Sequence, residues 1–408
     1  MGSSMEAVLS PWVAQLKSRT DLPVLVQWGE NPAPESGLRL GAFTQPKVVL
    51  KVRKASAVPL LLSPSLDRLG EAYVEGLIDV DGSVEDILEM AHRLAALGEA
   101  GEGALARIAL HFTHTKDTDK EAVQYHYDVS NEFYQTWLGP RMVYSCAYFE
   151  SGDETLDEAQ LKKIDHILTK IRLQPGQRLL DIGCGWGALV LRAAQKFGAR
   201  CLGVTLSHRQ FDLATERVRA AGLQDKVEIR LQDYRDVQGQ FDRITSVGMF
   251  EHVGLDYLEE YFAHIRKLLS DEGWVLNHGI TSTDANDGET SHGGGRFIDR
   301  YVFPQGELPH ISTVLKTMQA GGLEALDVES LRRHYARTTA LWSQAFEASG
   351  EKLRAMVSQK HWRIWRVYLA GCQWAFENDE ISLYQVLCRK SGRAARGLPW
   401  SRRWMYQD

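Results

Sequence analysis

Short apolar runs alternate with longer segments of helical periodicity between residues 174 and 281, and this alternation limits the possible folds more than any other feature. Strands that alternate with helices form a parallel sheet with helices on both faces, and their crossovers are right-handed. The sequence therefore predicts an α/β, Rossmann-like fold. The predicted strands are Arg178–Ile182, Cys201–Leu206, Val227–Leu231, Phe241–Val247 and Trp274–His278, and the predicted helices are Ala188–Phe197, Ser207–Ala221 and Tyr257–Leu269.

The rest of the chain divides around this segment, because 408 residues are too many for one ordinary domain. Residues 1–103 combine predicted strands at Val24–Trp28 and Lys47–Val52 with a helix that starts at Ser83, which indicates a smaller mixed α+β N-terminal domain. We expect a linker over 104–120, a catalytic domain over 121–390 and a basic, aromatic tail over 391–408. After the glycine-rich stretch 288–295, helical segments are predicted as far as Cys388.

Charge and cysteine content exclude several classes of protein. A net charge of −6 is unlike that of general nucleic-acid binders, which are usually basic. No apolar run approaches the roughly 20 residues that span a bilayer, and the first residues do not resemble a secretory leader. The five cysteines contain no CxxC pair, which indicates a cytoplasmic protein without a disulfide scaffold or a cysteine zinc site. No metal is expected.

A glycine-rich turn follows the first predicted strand and opens the first predicted helix. It reads Asp181-Ile182-Gly183-Cys184-Gly185-Trp186-Gly187, and glycines let a backbone turn sharply and approach a ligand closely. The GxGxG spacing differs from the GxGxxG of dinucleotide-binding proteins, and Thr205 stands where an acidic ribose ligand is expected. The acidic residue Asp181 suits a ligand with a positive charge, such as S-adenosylmethionine. The alternative is a tight turn without a ligand.

Several longer blocks resemble the cyclopropane-fatty-acyl-phospholipid synthase family, which includes the mycolic acid cyclopropane synthases. The resemblance runs from about residue 120 to about residue 390 and implies the class I fold of S-adenosylmethionine-dependent methyltransferases. Leu69–Tyr73 resembles the extra domain of the longer family members. The matching blocks are Tyr125–Asn131, Tyr144–Phe149, Leu180–Gly187, Gly203–Ser207, Leu231–Asp236, Ser246–Gly254, Tyr301–Pro304, and Tyr335 with Thr338 and Thr339.

The resemblance implies transfer of a methylene group from S-adenosylmethionine to the cis double bond of an unsaturated phospholipid acyl chain. A cyclopropane ring forms through a carbocation, which a bound bicarbonate ion deprotonates. An isolated alkene is a poor nucleophile, so the protein must position it and exclude water. The residues that the resemblance assigns to the reaction are Cys146, Glu251, His278, Ile280 through its backbone, and Tyr335. Each side chain also has an ordinary structural alternative, such as a buried thiol or a packed tyrosine.

The resemblance also implies a set of cofactor contacts. Tyr144 and Ser145 are expected to close over the methionine end, and Gly183 and Gly185 to line the turn. The end of the third strand, at Asp233–Arg235, is expected to lie near the adenine. Thr205 and Gln210 offer neutral groups in place of the usual ribose carboxylate. The full set is Tyr144, Ser145, Asp181, Gly183, Gly185, Thr205, Gln210, Gln232, Asp233, Tyr234 and Arg235.

A phospholipid substrate implies that the protein acts at the inner membrane face as a peripheral protein. The tail interleaves arginines with Trp400, Trp404 and Tyr406, and such residues favour anionic head groups and the interface. A solvated tail is the alternative. The aromatic and cationic run Trp362–Tyr368 fits membrane contact, but it fits core packing better. The resemblance suggests a homodimer, and no nucleic-acid partner is expected.

Three other functions fit parts of the sequence. A related lipid C-methyltransferase would act on the same alkene and leave a methyl branch or a methylene group. A small-molecule methyltransferase would act on nitrogen or oxygen, without a need for the Tyr144–Phe149 block. A lipid-binding protein that has lost activity is the third, and the intact set of reaction residues argues against it.

Overall fold

The computed structural model describes residues 2–29, 32–33, 36–99, 129–286, 295–303 and 306–406. The chain forms two compact units. The described residues of the first unit are those up to 99 and the segments 295–302 and 354–374, and the others belong to the second unit. The predicted linker over 104–120 lies outside the described residues, as does most of the Tyr125–Asn131 block.

The first unit is a mixed α+β domain with its own core. Its strands β1 (Val24–Trp28), β2 (Leu38–Arg39), β3 (Val48–Val52) and β4 (Ile78–Asp81) form a sheet of order β2-β1-β3-β4, in which β1 and β3 are parallel. Apolar side chains of the sheet and the flanking helices pack together. The helices are Gly2–Lys17, Val58–Leu62, Leu66–Val74, Val84–Glu99, Gly295–Tyr301 and most of Gln359–Glu377.

The second unit is built on a seven-stranded sheet. Its strands are β5 (Arg178–Ile182), β6 (Arg200–Thr205), β7 (Val227–Leu231), β8 (Phe241–Val247), β9 (Leu269–Ser282), β10 (Leu323–Ser330) and β11 (Ile381–Lys390). The order is β10-β11-β9-β8-β5-β6-β7, with β9 to β7 parallel and β11 antiparallel to both of its neighbours. The predicted α/β sheet is confirmed, and the carboxyl ends of its parallel strands share one edge.

Helices cover this sheet, and local signals place their ends. Ser207 caps the helix His208–Ala220 by accepting a hydrogen bond from the Gln210 N–H, and Gly187 and Gly198 flank Ala188–Phe197 in left-handed conformations. The other helices are Asn131–Leu138, Leu156–Lys170, Leu258–Leu268, Ile311–Ala320, Arg332–Ala348 and Gly350–Met356. Within the described residues, none of the helices is both long and apolar enough to cross a bilayer.

The prediction of helices alone between the glycine-rich stretch and Cys388 is wrong, because β10 and β11 also lie there. The two strands pair with each other, and β11 pairs with β9 across nine residue positions from Ile381 to Arg389. Their short apolar runs do not distinguish a strand from a buried helical segment. The distant partner strand decides the outcome. β9 is also longer than predicted, at 14 residues.

The C-terminal segment packs on the second unit. Met405 is buried and Trp404 contacts the same apolar cluster, while Trp404 Nε1–H donates to the Lys170 carbonyl oxygen at 3.4 Å. Arg402 forms an ion pair with Asp327. Trp400 is fully exposed. The run Trp362–Tyr368 belongs to the first unit, where Trp362 and Trp365 are buried.

Candidate active site

The glycine turn after β5 lies in a cleft at the carboxyl edge of the parallel strands, where open α/β sheets bind their ligands. Gly183, Gly185 and Gly187 have φ angles of 76°, 54° and 84°, in the left-handed region that favours glycine. The Gly183 N–H donates to the Val204 carbonyl oxygen at 3.0 Å, which ties the turn to β6. At Gly183 and Gly185 the turn therefore presents backbone atoms to the cleft.

Asp181 places a buried carboxyl group in the wall of this cleft. It is 3% exposed, and it accepts a hydrogen bond from Thr245 Oγ1 at 2.7 Å. Burial raises the pKa of Asp181 to about 7, because a carboxylate loses its hydration there. A cationic group in the cleft would stabilise the ionised form. This carboxyl group is therefore suited to a positively charged ligand.

All the residues predicted to bind the cofactor line this one cleft. Thr205 and Gln210 are buried and joined by a hydrogen bond from Thr205 Oγ1 to Gln210 Oε1 of 2.7 Å. Asp233 is held by the Arg235 guanidinium, whose Nε and Nη2 donate at 2.9 and 2.7 Å. The end of β7 therefore presents a neutralised acidic side chain to the cleft.

Lys163 also lines the cleft, and the sequence analysis missed it. It is 2% exposed on the helix Leu156–Lys170, and its Nζ donates to Ser145 Oγ at 2.7 Å. Burial lowers the pKa of Lys163 to about 8. The sequence does contain a signal for this residue, because Lys163 lies beside the buried, apolar residues Ile164, Ile167 and Leu168 of the same helix. A lysine on such a helix is rarely buried without a partner, so its position indicates a specific contact.

Glu251 lies in the turn after β8, next to the cleft residues Met249 and His252. Its Oε1 accepts a hydrogen bond from the Ile280 N–H at 2.7 Å. Its Oε2 is buried and has no hydrogen-bond partner within the described part of the chain. Burial raises the pKa of Glu251 to about 7. At neutral pH the side chain can therefore either carry or accept a proton.

His278 lies on β9, two positions before Ile280, so the two side chains point to the same face of the sheet. His278 is 1% exposed, and burial lowers its pKa well below 6.5, so the ring is neutral. Its Nδ1 lies 3.2 Å from Gln385 Nε2. Its Nε2 is buried without a hydrogen-bond partner among the residues that the structure describes.

Cys146 and Tyr335 approach this region through Leu331. The Leu331 carbonyl oxygen accepts the Tyr335 N–H at 3.0 Å and lies 3.8 Å from Cys146 Sγ, and the Leu331 N–H donates to the Leu383 carbonyl oxygen at 2.9 Å. Leu383 is the β11 partner of Ile280. Burial raises the pKa of the Cys146 thiol well above its ordinary value, so the group is a neutral thiol and not a thiolate nucleophile.

Of the five predicted reaction residues, Glu251 and Ile280 are in direct hydrogen-bond contact and His278 lies on the same strand as Ile280. Cys146 and Tyr335 are connected to that strand through Leu331 and Leu383. Two buried polar atoms on adjoining segments, Glu251 Oε2 and His278 Nε2, lack partners among the described residues. An unpaired buried polar atom costs free energy, and in a native structure a bound ion, a water molecule or a catalytic role can account for it. The site fits a ligand that both donates and accepts hydrogen bonds.

The sheet order, the glycine turn and the cleft at the carboxyl edge of the strands define a class I S-adenosylmethionine-dependent methyltransferase. The chain belongs to the mycolic acid cyclopropane synthetase family, whose model matches residues 114–386. Residues 12–97 match a second model, which describes a domain of unknown function (DUF7884).

Individual relatives agree with this assignment. A probable fatty acid methyltransferase of Pseudomonas putida is 45% identical over 367 residues, which cover 89% of this chain and 92% of the relative. The crystal structure of mycolic acid cyclopropane synthase CmaA1 complexed with SAH and CTAB superimposes with a TM-score of 0.63 and 36% identity, and covers 66% of this chain and 98% of that one. Coclaurine N-methyltransferase bound to N-methylheliamine and SAH gives a TM-score of 0.62 at 25% identity, over 79% of this chain and 99% of that one.

Proposed function

We propose that the protein transfers a methylene group from S-adenosylmethionine to the cis double bond of an unsaturated phospholipid acyl chain and forms a cyclopropane ring. The observation that carries the proposal is the pair of unpartnered buried atoms, Glu251 Oε2 and His278 Nε2, beside the cofactor cleft. A transfer to nitrogen or oxygen would not need them. Family membership supports the same reaction.

These residues fit a bicarbonate ion as the base of the reaction. Bicarbonate bound there would accept the proton that the new methyl group loses as the ring closes. Glu251, with a pKa near 7, can share a proton with the anion and so avoid the repulsion between two negative charges. His278 is neutral and can donate one hydrogen bond without a change of charge.

The cleft residues have a separate role in binding and orientation. Asp181 would face a positively charged group of the cofactor, and the hydrogen bond from Lys163 fixes Ser145 in the wall of the same cleft. S-adenosylmethionine bound in the cleft would supply the methyl group to the alkene, with S-adenosylhomocysteine as the leaving group, and the cation formed on the acyl chain would have to be kept from water. The aromatic rings of Tyr144, Trp342 and Tyr335 form a continuous apolar group beside the reaction residues, with centroids 5.4 and 5.8 Å apart.

A second candidate is a related lipid C-methyltransferase that leaves a methyl branch or a methylene group. The Pseudomonas putida relative is named a probable fatty acid methyltransferase, and this name favours a methyl-branched or methylene product. The two candidates share the cofactor cleft and differ only in the fate of the cation. Product analysis separates them.

We also propose that the protein docks as a homodimer on the inner face of the membrane. The fully exposed Trp400, near Arg396 and Arg403, supports a lipid contact, because indoles settle at the interface and arginines attract anionic head groups. Trp400→Ala should lower the fraction of protein that sediments with anionic vesicles. A separate sedimentation-equilibrium experiment measures whether the protein is a dimer. Unchanged vesicle binding or a monomer at all concentrations would reject the corresponding part.

The test of the reaction uses S-adenosylmethionine, vesicles of unsaturated phospholipid, and buffers with or without bicarbonate. Mass spectrometry and proton NMR of the acyl chains should show a gain of one CH2, loss of the olefinic signal and new upfield ring protons. The same mass gain with retained unsaturation would establish the branching candidate. Unchanged lipids, with S-adenosylmethionine bound, would reject both and favour a soluble nucleophile as the substrate.

A further inference from the structure

A chain of buried polar side chains runs from the helix Leu156–Lys170 to the unpartnered atom of His278. Lys170 Nζ donates to Gln385 Oε1 at 3.1 Å, and Gln385 Nε2 lies 3.2 Å from His278 Nδ1. Lys170, Gln385 and His278 are 1%, 0% and 1% exposed. Lys170 also forms an ion pair with Glu329. None of these contacts reaches the cofactor cleft.

The direction of each hydrogen bond follows from the donor inventory. A lysine ammonium group can only donate, so the oxygen of the Gln385 amide must face Lys170. The amide NH2 group then faces His278 and must donate, so His278 Nδ1 is the acceptor. Burial lowers the pKa of His278 and keeps the ring neutral. The ring proton is therefore on Nε2, the atom that has no partner within the described residues.

We propose that Lys170 and Gln385 are positioning residues that fix His278 as the Nε2-protonated tautomer, with its one N–H directed at the anion site. The inference rests on the proposed function for the identity of that anion. The opposite tautomer would present a lone pair to the anion and repel it. An imidazolium would bring a second N–H against the Gln385 amide. The hydrogen-bonded relay from Lys170 through Gln385 to His278 thus gives His278 the one form that can donate to an anion without carrying charge.

The test is side-chain 15N NMR of histidine-labelled protein, with His278→Gln to assign the signal. Gln385→Glu keeps the size of the side chain but replaces the donor by a carboxylate oxygen, which accepts from Nδ1–H. Gln385→Met removes the donor without adding charge, and Gln319→Glu, at an exposed position, is the matched control. Bound S-adenosylhomocysteine and circular dichroism report folding of each variant.

The wild type and Gln319→Glu should show an unprotonated Nδ1 and a protonated Nε2. Gln385→Glu should show a protonated Nδ1, with kcat lower by about 10²–10⁴-fold and an unchanged KM for S-adenosylmethionine. Gln385→Met should give a mixture of tautomers and an intermediate kcat. An Nδ1–H tautomer in the wild type would overturn the relay, as would full activity in a variant whose tautomer has switched. Absence of any lipid product with the tautomer as proposed would instead reject the proposed function and leave the relay intact.

A second, independent observation concerns a polar pocket within the first unit, which encloses about 380 Å³. Four arginines line it, Arg53, Arg354, Arg363 and Arg366. Asp79 pairs with Arg53 at 2.8 Å and with Arg363 at 2.5 Å, so its charge is already shared. Asp81, also in the wall, pairs with Lys51. The pocket therefore carries an excess of positive charge.

Two of the guanidinium groups lie against one indole ring. The Cζ atoms of Arg354 and Arg366 are 3.9 and 5.4 Å from the centroid of Trp362. Within the described part of the chain, Arg354 has no ion pair to hold it there. Positive charges gathered around one ring repel each other, and an anion bound among them would offset that repulsion. Guanidinium groups match the geometry of phosphate oxygens and can bind them in pairs.

We infer that this pocket binds a phosphate group, either on a phospholipid head group or as free phosphate. Arg354→Gln is the test variant, because Arg354 is exposed, and Arg19→Gln removes an exposed charge elsewhere in the same unit. Calorimetry with inorganic phosphate at constant ionic strength measures the free anion. Sedimentation with saturated phosphatidylglycerol or phosphatidylcholine vesicles measures the head group.

Arg354→Gln should weaken one of these affinities about tenfold, the loss expected for one charge-assisted hydrogen bond, while Arg19→Gln should not. A loss seen with inorganic phosphate identifies the free anion as a ligand. A loss seen only with vesicles identifies the head group. Equal affinities of wild type and Arg354→Gln for phosphate and for both vesicles would overturn the site.

Discussion

Replacing Glu251 with glutamine removes one ionisable group while keeping the shape of the side chain. The amide oxygen can still accept the Ile280 N–H, as Glu251 Oε1 does at 2.7 Å. The change therefore isolates the second oxygen, the one without a partner. We expect kcat to fall about 10²–10⁴-fold, the usual worth of a proton-transferring group. Binding of S-adenosylhomocysteine should be unchanged, because Glu251 does not line the cofactor cleft.

The same variant tests the ionisation of Glu251 through stability. Burial raises its pKa from 4.5 to about 7, so between these values the folded protein keeps a proton that the unfolded chain releases. The stabilisation is fully present below pH 4.5 and is lost as the pH rises through about 7. With 1.36 kcal/mol for each pKa unit, the change between about pH 5 and about pH 8 is about 2.5 kcal/mol. Glutamine has no such dependence.

Denaturant unfolding of both proteins at a series of pH values measures this difference. The free energy of unfolding of the wild type, minus that of Glu251→Gln, should fall by about 2.5 kcal/mol from about pH 5 to about pH 8. Parallel curves would refute the reasoning, because they would mean that the carboxyl group ionises as it does in water. Loss of S-adenosylhomocysteine binding would instead place Glu251 in the cofactor site.

Three further outcomes follow from single contacts. Gly279→Ala should lower the free energy of unfolding by about 1–3 kcal/mol, because the added Cβ would lie 1.6 Å from Phe250 Cε1. Gly371→Ala is the control, because its added Cβ meets nothing within 4 Å. Equal free energies of unfolding for the two variants would contradict this prediction. Lys163→Met should weaken S-adenosylhomocysteine binding about tenfold in calorimetry, because a charge-assisted bond to Ser145 is lost, and an unchanged affinity would exclude the role. Removing bicarbonate should lower the rate of lipid product formation without changing cofactor affinity, and a rate independent of bicarbonate would reject that base.

The central part of the fold could be predicted because its signals are local. The helix Ala188–Phe197 and the strands β5, β7 and β8 have the predicted bounds. Each of these elements carries its own apolar periodicity, and the glycines of the turn force the chain from strand to helix. The same local signals brought the cofactor residues to one edge, because the ends of parallel strands share an edge.

The missed elements depend on distant parts of the chain. β10 and β11 exist because they complete the sheet beside β9, and a short apolar run alone does not reveal that partner. Lys163 and Lys170 were missed for a related reason. Both are charged residues on a helix, where exposure is the ordinary outcome. Their burial is stabilised by partners on distant segments, Ser145 for Lys163, and Glu329 and Gln385 for Lys170.

The register of β11 also determines the chemistry of the candidate site. Gln385 is the direct partner of His278 across the antiparallel pair, so the two side chains share one face of the sheet. A shift of one residue would place Tyr384 or Val386 opposite His278 and turn the amide to the other face. Val386 has no polar side-chain atom, and Tyr384 would offer a single hydroxyl at the end of a rigid ring in place of an amide whose donor and acceptor are separate atoms. The pairing that completes the sheet therefore also sets which nitrogen of His278 carries its proton.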